Sequence, residues 1–139
     1  MSIHPFNSTL HYAVSCFDGM KAYKDSNGTP LLFRPELNMV RFLKSCERLS
    51  LPSFDPNELL ELIKKFILIE KDWIPTRLDS SLYLRPFAMS MGANLGVEKS
   101  TKSAIYITAS PVTSYFKKGQ EIKLKVDETY ERGTPHNAA

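Results

Sequence analysis

Residues 17–33 read FDGMKAYKDSNGTPLLF and give a strong structural signal. Two apolar runs, residues 17–23 and 30–33, flank the turn DSNG at residues 25–28. Asn-Gly between apolar runs is typical of a β-hairpin, because both residues tolerate the positive φ of a tight turn. Pro35 ends the second run because proline has no N–H to donate to a strand ladder. The segment therefore predicts two antiparallel strands.

Two amphipathic helices are predicted after the hairpin. Pro35 suits the first position of a helix that runs to about residue 49. Its buried stripe recurs at three- and four-residue steps and consists of Met39, Phe42, Leu43, Cys46 and Leu49. The second helix has Asp55 as its cap, Pro56 at its first position and Glu58 at the capping-box spacing. Its buried face is predicted to be Leu59, Leu62, Ile63, Phe66 and Ile67.

Further strands complete the predicted sheet. Residues 79–89 form one strand, with Pro86 inside it or at its end. The run AIYITA at residues 104–109 is rich in β-branched and aromatic residues and predicts a central strand. Residues 120–126 alternate apolar and charged side chains and predict another strand before a loop from residue 127. The pattern indicates a mixed α/β sheet of the α+β class with helices packed on one face.

Composition narrows the function classes. The chain has 139 residues, of which 42% are hydrophobic, so it can bury the core of one ordinary domain. Its formal net charge is +3 and its basic residues are scattered, which is unlike a nucleic-acid-binding stripe. No stretch has the length and apolarity of a membrane span, and the first residues are unlike a signal peptide. A cytoplasmic setting is expected.

Titratable residues give no metal-site signal. Cys16 and Cys46 share neither a metal-ligand nor a redox spacing, and we interpret each as a small buried hydrophobe. His4, His11 and His136 are far apart and have no paired ligands near them in sequence.

Two features could carry chemistry. Tyr83 and Arg85 lie two residues apart in the predicted strand segment SLYLRP, residues 81–86, so they project from one face while Leu82 and Leu84 project from the other. A phenol beside a guanidinium can hold a carboxylate, but an amphipathic strand with one solvated face has the same spacing, and spacing alone favours that interpretation. Arg41 lies off the buried helix stripe. It is either a solvated charge or, if another domain covers it, a phosphate ligand.

A series of short segments carries a family resemblance. In chain order they are LHY at 10–12, CFDGMKAY at 16–23, LFRP at 32–35, LNM with Arg41 at 37–41, residues 48–54, KDWIP at 71–75 and SLYLRP at 81–86. The series resembles the branched-chain amino-acid aminotransferases, fold-type IV enzymes that use pyridoxal 5′-phosphate (PLP), and above all their longer eukaryotic-type class. It extends over nearly the whole chain. The resemblance implies that residues 1–126 are the small N-terminal domain and that residues 127–139 begin an interdomain loop.

The resemblance also implies roles for polar residues. Arg41 falls at the position that holds the PLP phosphate, which favours the second interpretation of that residue. Tyr83 and Arg85 match a tyrosine and an arginine that line the substrate pocket near the carboxylate. Asp18 stands where the family commonly has Glu, and we expect little functional change from that difference.

Apolar residues would form the rest of the pocket. Phe17 and Tyr12 match aromatic residues that enclose the branched side chain. Leu95 and Val97 match a loop that reaches the pocket of the neighbouring subunit, so a homodimer is implied. The expected parent reaction moves the amino group of Leu, Ile or Val to 2-oxoglutarate, giving glutamate and a branched 2-oxo acid.

No lysine in the chain matches the Schiff-base lysine of that family. We therefore identify no catalytic residue here and expect the 139-residue chain alone to be inactive. The alternatives are a catalytically silent, truncated domain that acts as a folding or pairing module, and a fold-type IV relative with another specificity, such as a D-amino-acid aminotransferase or an aminodeoxychorismate lyase.

Overall fold

The computed structural model describes residues 1–129 apart from 117, 118 and 120. In chain order the elements are α1 (Ser8–Tyr12), β1 (Ser15–Phe17), β2 (Met20–Lys24), β3 (Pro30–Leu32), α2 (Pro35–Arg48), α3 (Pro56–Ile69), a 3₁₀ turn (Lys71–Trp73), β4 (Ser80–Ser90) and β5 (Ser103–Thr113). The predicted hairpin is β2–β3, and both predicted helices are present. The α+β class is confirmed.

Strand β4 lies at the centre of the sheet. β5 pairs with it along its full length, while β1 and β2 pair with different parts of its other edge, and β3 extends the sheet from β2. Every pairing between the described strands is antiparallel, so neighbouring strands run in opposite directions, whereas a mixed sheet was predicted. Helices α2 and α3 pack on one face, on a core that includes Ala22, Leu82 and Leu84.

Strands β1 and β2 lie end to end beside β4 and pair with it in the same register. Phe17 is opposite Phe87 in β1, and Met20 is opposite Leu84 in β2, so the same register places Asp18 opposite Pro86 and Gly19 opposite Arg85. The backbone N–H of Asp18 donates to the carbonyl of Pro86 at 3.0 Å. Pro86 has no N–H to return, so the ladder is interrupted at Asp18 and Gly19.

The Asp55 cap and the turn at Asn27-Gly28 form as predicted. Asp55 Oδ1 accepts hydrogen bonds from the N–H groups of Asn57 and Glu58 at the start of α3. In the hairpin, Asp25 Oδ1 accepts from the N–H of Asn27 at 2.9 Å and of Thr29 at 2.7 Å, and Gly28 has φ +81°. Glycine adopts this conformation without the steric cost that a β-carbon brings.

Other predictions need correction. Strand β5 is not central: among the described strands it pairs only with β4, so it lies at an edge. Residues 121–126 form no strand, and Ile122, Leu124 and Val126 are exposed, because alternation alone supplies no neighbouring strand to bond. In α3 the predicted buried residue Leu62 is exposed, and Leu60, which is outside the predicted face, is buried together with Leu59, Ile63 and Ile67. The boundary predicted at residue 126 stays a prediction, and residues 130–139 lie outside the described part.

Candidate active site

The open face of the sheet, away from α2 and α3, brings Phe17, Tyr83 and Arg85 together. The Arg85 guanidinium carbon lies 4.4 Å from the centre of the Phe17 ring and 5.3 Å from that of Tyr83. Arg85 Nη2 also donates a long hydrogen bond of 3.4 Å to Tyr83 Oη. Phe17 is 55% exposed and Arg85 is exposed, so the cluster is accessible to a ligand. These contacts fit a cation held between aromatic faces.

The shared register of β1 and β2 explains why these side chains meet. Phe17 and Gly19 lie on the same face as Tyr83 and Arg85, because alternate residues of a strand share a face. Gly19, which has no side chain, leaves the space that the Tyr83 ring fills. A β-carbon at residue 19 would collide with Tyr83 Oη and lie 3.0 Å from Cε2 and Cζ of the ring.

Arg41, on α2, forms a two-point ion pair with Asp18. Its Nε donates to Asp18 Oδ2 at 2.7 Å, and its Nη2 donates to Oδ1, also at 2.7 Å. The Arg41 side chain is 43% exposed, whereas that of Asp18 is 3% exposed. The hydrogen bond with Asp18 raises the pKa of Arg41 above its ordinary value, so the guanidinium stays charged. Among the described residues, Nη1 has no hydrogen-bond partner.

The Arg41–Asp18 pair and the open-face cluster lie on different faces but meet at the sheet edge. Asp18 lies on the helix-facing side of the sheet with Met20, whereas its neighbour Gly19 contacts Tyr83 on the open face. The dipeptide Asp18-Gly19 therefore links the guanidinium of Arg41 to the phenol of Tyr83. In the described part of the chain, the edge of the sheet at this dipeptide has no further strand beyond it.

Tyr12 belongs to a separate group with the loop that follows β4. Its hydroxyl donates to the carbonyl of Leu95 at 2.8 Å. Tyr12 and Leu95 are 49% and 44% exposed, and Val97 is 92% exposed. The predicted pocket residues thus include two separate groups, one of Phe17, Tyr83 and Arg85 and one of Tyr12 and Leu95.

Sequence reasoning assigns no structural role to Asp18, Gly19 or Asn38, although the structure joins them by hydrogen bonds. Asn38 Nδ2 donates to Asp18 Oδ1 at 2.9 Å and to the Gly19 carbonyl at 3.1 Å. Asn38 and Arg41 are three residues apart on α2 and so share a helix face, which is a signal that the sequence carries. Nothing local in the sequence shows that this face meets residues 18 and 19.

Individual relatives match almost all of the chain, although no protein-family model matches it. The branched-chain-amino-acid aminotransferase of Dictyostelium discoideum is 49% identical over 133 residues, which is 95% of this chain and 35% of that enzyme. The mitochondrial enzyme of the same name from Schizosaccharomyces pombe is 43% identical over 136 residues, or 97% of this chain and 32% of the relative. The chain is homologous to the N-terminal part of branched-chain aminotransferases. It spans about a third of the length of these curated relatives.

Solved structures of branched-chain aminotransferases have a similar fold. The branched-chain aminotransferase of Thermoproteus uzoniensis, solved with norvaline, gives a TM-score of 0.69 at 21% identity over 84% of this chain and 37% of that one. The branched-chain amino acid aminotransferase of Escherichia coli gives a TM-score of 0.61 at 24% identity over 81% of this chain and 35% of that one. Among the described residues, no helix is long and apolar enough to cross a membrane.

The residues present fit the phosphate end of PLP. A phosphate oxygen accepts charge-assisted hydrogen bonds, and Arg41 offers a permanently charged donor whose Nη1 is unpaired among the described residues. The Arg41 side chain as a whole is 43% exposed, so an anion can reach the guanidinium from the surface. Asp18 holds the same guanidinium from its other side. The described residues therefore supply one anchored cation for a phosphate.

Proposed function

We propose that this chain is the small domain of a PLP-dependent branched-chain aminotransferase. The reaction moves the amino group of Leu, Ile or Val to 2-oxoglutarate and yields glutamate and a branched 2-oxo acid. The observation that carries the proposal is the Arg85 guanidinium held between Phe17 and Tyr83 on an exposed face, in a chain 49% identical to a branched-chain-amino-acid aminotransferase. It puts a carboxylate-binding group beside an apolar surface.

In this proposal Arg41 holds the cofactor phosphate. When bound, PLP supplies the electron sink for transamination, and the protein supplies binding and proton transfer. Arg41 contributes charge and direction at the phosphate end, because a guanidinium can donate to phosphate oxygens along more than one N–H. Two findings support this role: the Arg41 side chain is partly exposed, and Asp18 holds its guanidinium through Nε and Nη2.

Arg85 and Tyr83 orient the substrate through its carboxylate. Arg85 supplies a charged donor, while Tyr83 Oη accepts from Arg85 and keeps its own proton for donation to a carboxylate oxygen. Phe17 covers the guanidinium on one side, which reduces its contact with water and strengthens its interaction with an anion. The same ring offers an apolar surface to a branched side chain.

Tyr12, Leu95 and Val97 complete the apolar pocket in a homodimer. The hydrogen bond from Tyr12 to Leu95 ties the loop to α1, so both residues would move as one group. Their exposure supports a role at a subunit contact, where Val97 would lose the most contact with water. Apolar pockets distinguish side chains by shape at about 1–3 kcal/mol per methylene. The cytoplasmic location stays a prediction, because relatives named cytosolic and mitochondrial both match the chain.

A chimeric enzyme tests the proposal. The matching 133 residues of the Dictyostelium relative are replaced with those of this chain, and glutamate formation from 2-oxoglutarate is measured with Leu, Ile, Val and D-alanine. We expect activity with the branched L-amino acids. Activity with D-alanine alone would indicate another specificity, and a folded but inactive chimera would indicate a silent domain.

Variants of the chimera assign the roles. Arg41→Ala should weaken PLP retention, measured by absorbance titration, because a charge-assisted hydrogen bond contributes about 1.5–3 kcal/mol. Arg85→Ala should raise the KM for leucine more than it changes PLP retention. Arg77→Ala is the matched control, since Arg77 pairs with Asp79 at the surface with 73% of its side chain exposed. Unchanged PLP affinity in Arg41→Ala would remove the phosphate role of that residue.

A further inference from the structure

We propose that Asp18 is a positioning residue that fixes Arg41 so that the outer edge of its guanidinium faces a phosphate. The inference rests on the proposed function and adds a residue to its phosphate site. Asp18 occupies Nε and Nη2 of Arg41 from one side, at 2.7 Å each. The remaining edge of the planar group, with Nη1, therefore points away from the carboxylate.

Asp18 is itself held in place. Its Oδ1 accepts from the Gly19 N–H at 2.7 Å and from Asn38 Nδ2 at 2.9 Å, and its own N–H donates to the Pro86 carbonyl. The residue is 5% exposed. A loose surface ion pair contributes little because both side chains lose freedom on pairing. Here the carboxylate is already fixed by the backbone of the sheet edge and by α2, so Arg41 is the side chain that the pair orders.

The opposite interpretation is that Asp18 masks the charge of Arg41. A mask would have to release Arg41 when an anion arrives, but a buried carboxylate with several donors around it is costly to expose or to leave without its counter-ion. The partial exposure of Arg41 beside the nearly buried Asp18 favours an anion that joins the pair and leaves it intact. The two interpretations predict opposite effects when the charge of Asp18 is removed.

The test uses the 139-residue chain and pyridoxamine 5′-phosphate, with pyridoxamine as the ligand that lacks a phosphate. Binding is followed by NMR, with the side-chain Nε–Hε signal of Arg41 as a separate reporter of its order. Asp18→Asn should lower the affinity for the phosphate ligand about tenfold, which corresponds to about 1.4 kcal/mol. It should also broaden the Arg41 signal. Asp18→Glu should retain most of the affinity and most of the sharpness of the Arg41 signal, because the charge and the acceptor atoms remain.

Controls separate positioning from folding and from charge alone. Asp79→Asn removes the carboxylate of the exposed pair with Arg77 and should leave both readouts unchanged. Backbone amide signals of β4 and β5 report the fold. If Asp18→Asn does not fold, Arg41→Lys serves as the second variant. Lysine keeps the positive charge but cannot form the two-point pair with Asp18, so the affinity for pyridoxamine 5′-phosphate should fall to a similar extent.

The outcomes are distinguishable. If Arg41→Ala weakens binding of the phosphate ligand, then equal or tighter binding in folded Asp18→Asn, or wild-type affinity in Arg41→Lys, would overturn the positioning role alone. If Arg41→Ala binds the phosphate ligand as the wild type does, the phosphate role in the proposed function fails as well. An Asp18→Glu variant with the low affinity of Asp18→Asn would also overturn the inference. Such a variant keeps the negative charge and the acceptor oxygens, and they would then not be sufficient to position Arg41.

Discussion

The backbone of Gly19 lies against the phenol of Tyr83, so close that a β-carbon at residue 19 would collide with Tyr83 Oη. The contact arises because β1 and β2 keep one register against β4, which places residues 19 and 83 on the same face. Tyr83 in turn accepts from Arg85. The absence of a side chain at residue 19 therefore fixes where the candidate carboxylate-binding pair can lie.

Gly19→Ala should displace the ring of Tyr83. Overpacking of this kind costs typically about 1–3 kcal/mol, and the lower part of that range is expected because the end of a side chain can move more easily than backbone. Urea denaturation measures the stability, and the aromatic NMR signals of Tyr83 report the displacement. Gly92→Ala is the matched control, since its β-carbon would meet Ser90 Oγ at an ordinary 3.5 Å and should change stability by less than about 0.5 kcal/mol. Unchanged Tyr83 signals in Gly19→Ala would show that residue 19 does not determine where the Tyr83 ring lies.

Local signals in the sequence were sufficient for most elements. The Asn27-Gly28 turn, the Asp55 cap and the alternation around Tyr83 each depend on residues a few positions apart, and each has the predicted structure. The role of residues 104–109 and of 120–126 depends on which strand lies beside them. That is set by non-local pairing, so the β-rich run is an edge strand, and the described part of the alternating run, residues 121–126, forms no strand.

Local spacing also predicts part of the candidate site, whereas the rest depends on non-local packing. Strand spacing alone placed Tyr83 and Arg85 on one face, and both lie there. The Arg41–Asp18 pair joins residues 23 positions apart and forms only because α2 packs beside the interrupted strand edge. Sequence reasoning predicts only that the change from Glu to Asp, which keeps the charge, has little functional effect, and it gives no role to Asp18 itself. Its burial, which gives it several donors, is a property of the packed structure.

Leu84→Asp should unfold the domain. Leu84 is 0% exposed in the core between the sheet and the helices, and an unpaired carboxylate there costs more than a marginally stable domain can offset. Circular dichroism and NMR dispersion would show the loss of structure. Leu31→Asp, on β3 where the side chain is 49% exposed, should fold as the wild type does. A cooperatively folded Leu84→Asp protein would place that side chain outside the core.

Asp55→Ala should destabilise the protein by about 1 kcal/mol, within a range of about 0.5–2 kcal/mol for lost N-caps. The Asp55 carboxylate accepts from the first N–H groups of α3, which have no partner within the helix. Asp55→Asn keeps an acceptor oxygen and should retain most of the stability. Urea denaturation measures both variants. Equal losses of stability in Asp55→Ala and Asp55→Asn would indicate that the negative charge near the helix end, and not the hydrogen bond, stabilises α3.

Cys16 should react with iodoacetamide at lower pH than Cys46. Their sulfur atoms are 3.6 Å apart, and Cys46 is 1% exposed while Cys16 is partly exposed. The hydrogen bond with Cys46 lowers the pKa of the Cys16 thiol, against the opposing effects of burial and of Asp18. The same hydrogen bond raises the pKa of Cys46.

A lowered pKa means that the reactive thiolate of Cys16 is present at lower pH, and a raised pKa keeps Cys46 protonated as the donor. Peptide mass mapping after labelling across a pH series should therefore find Cys16 modified first. In Cys46→Ala the donor is lost, so the midpoint for Cys16 labelling should move to higher pH, whereas Cys46→Ser keeps a hydroxyl donor and should move it less. Labelling of Cys46 before Cys16, or a lower midpoint in Cys46→Ala, would show that this hydrogen bond does not set the reactivity of the pair.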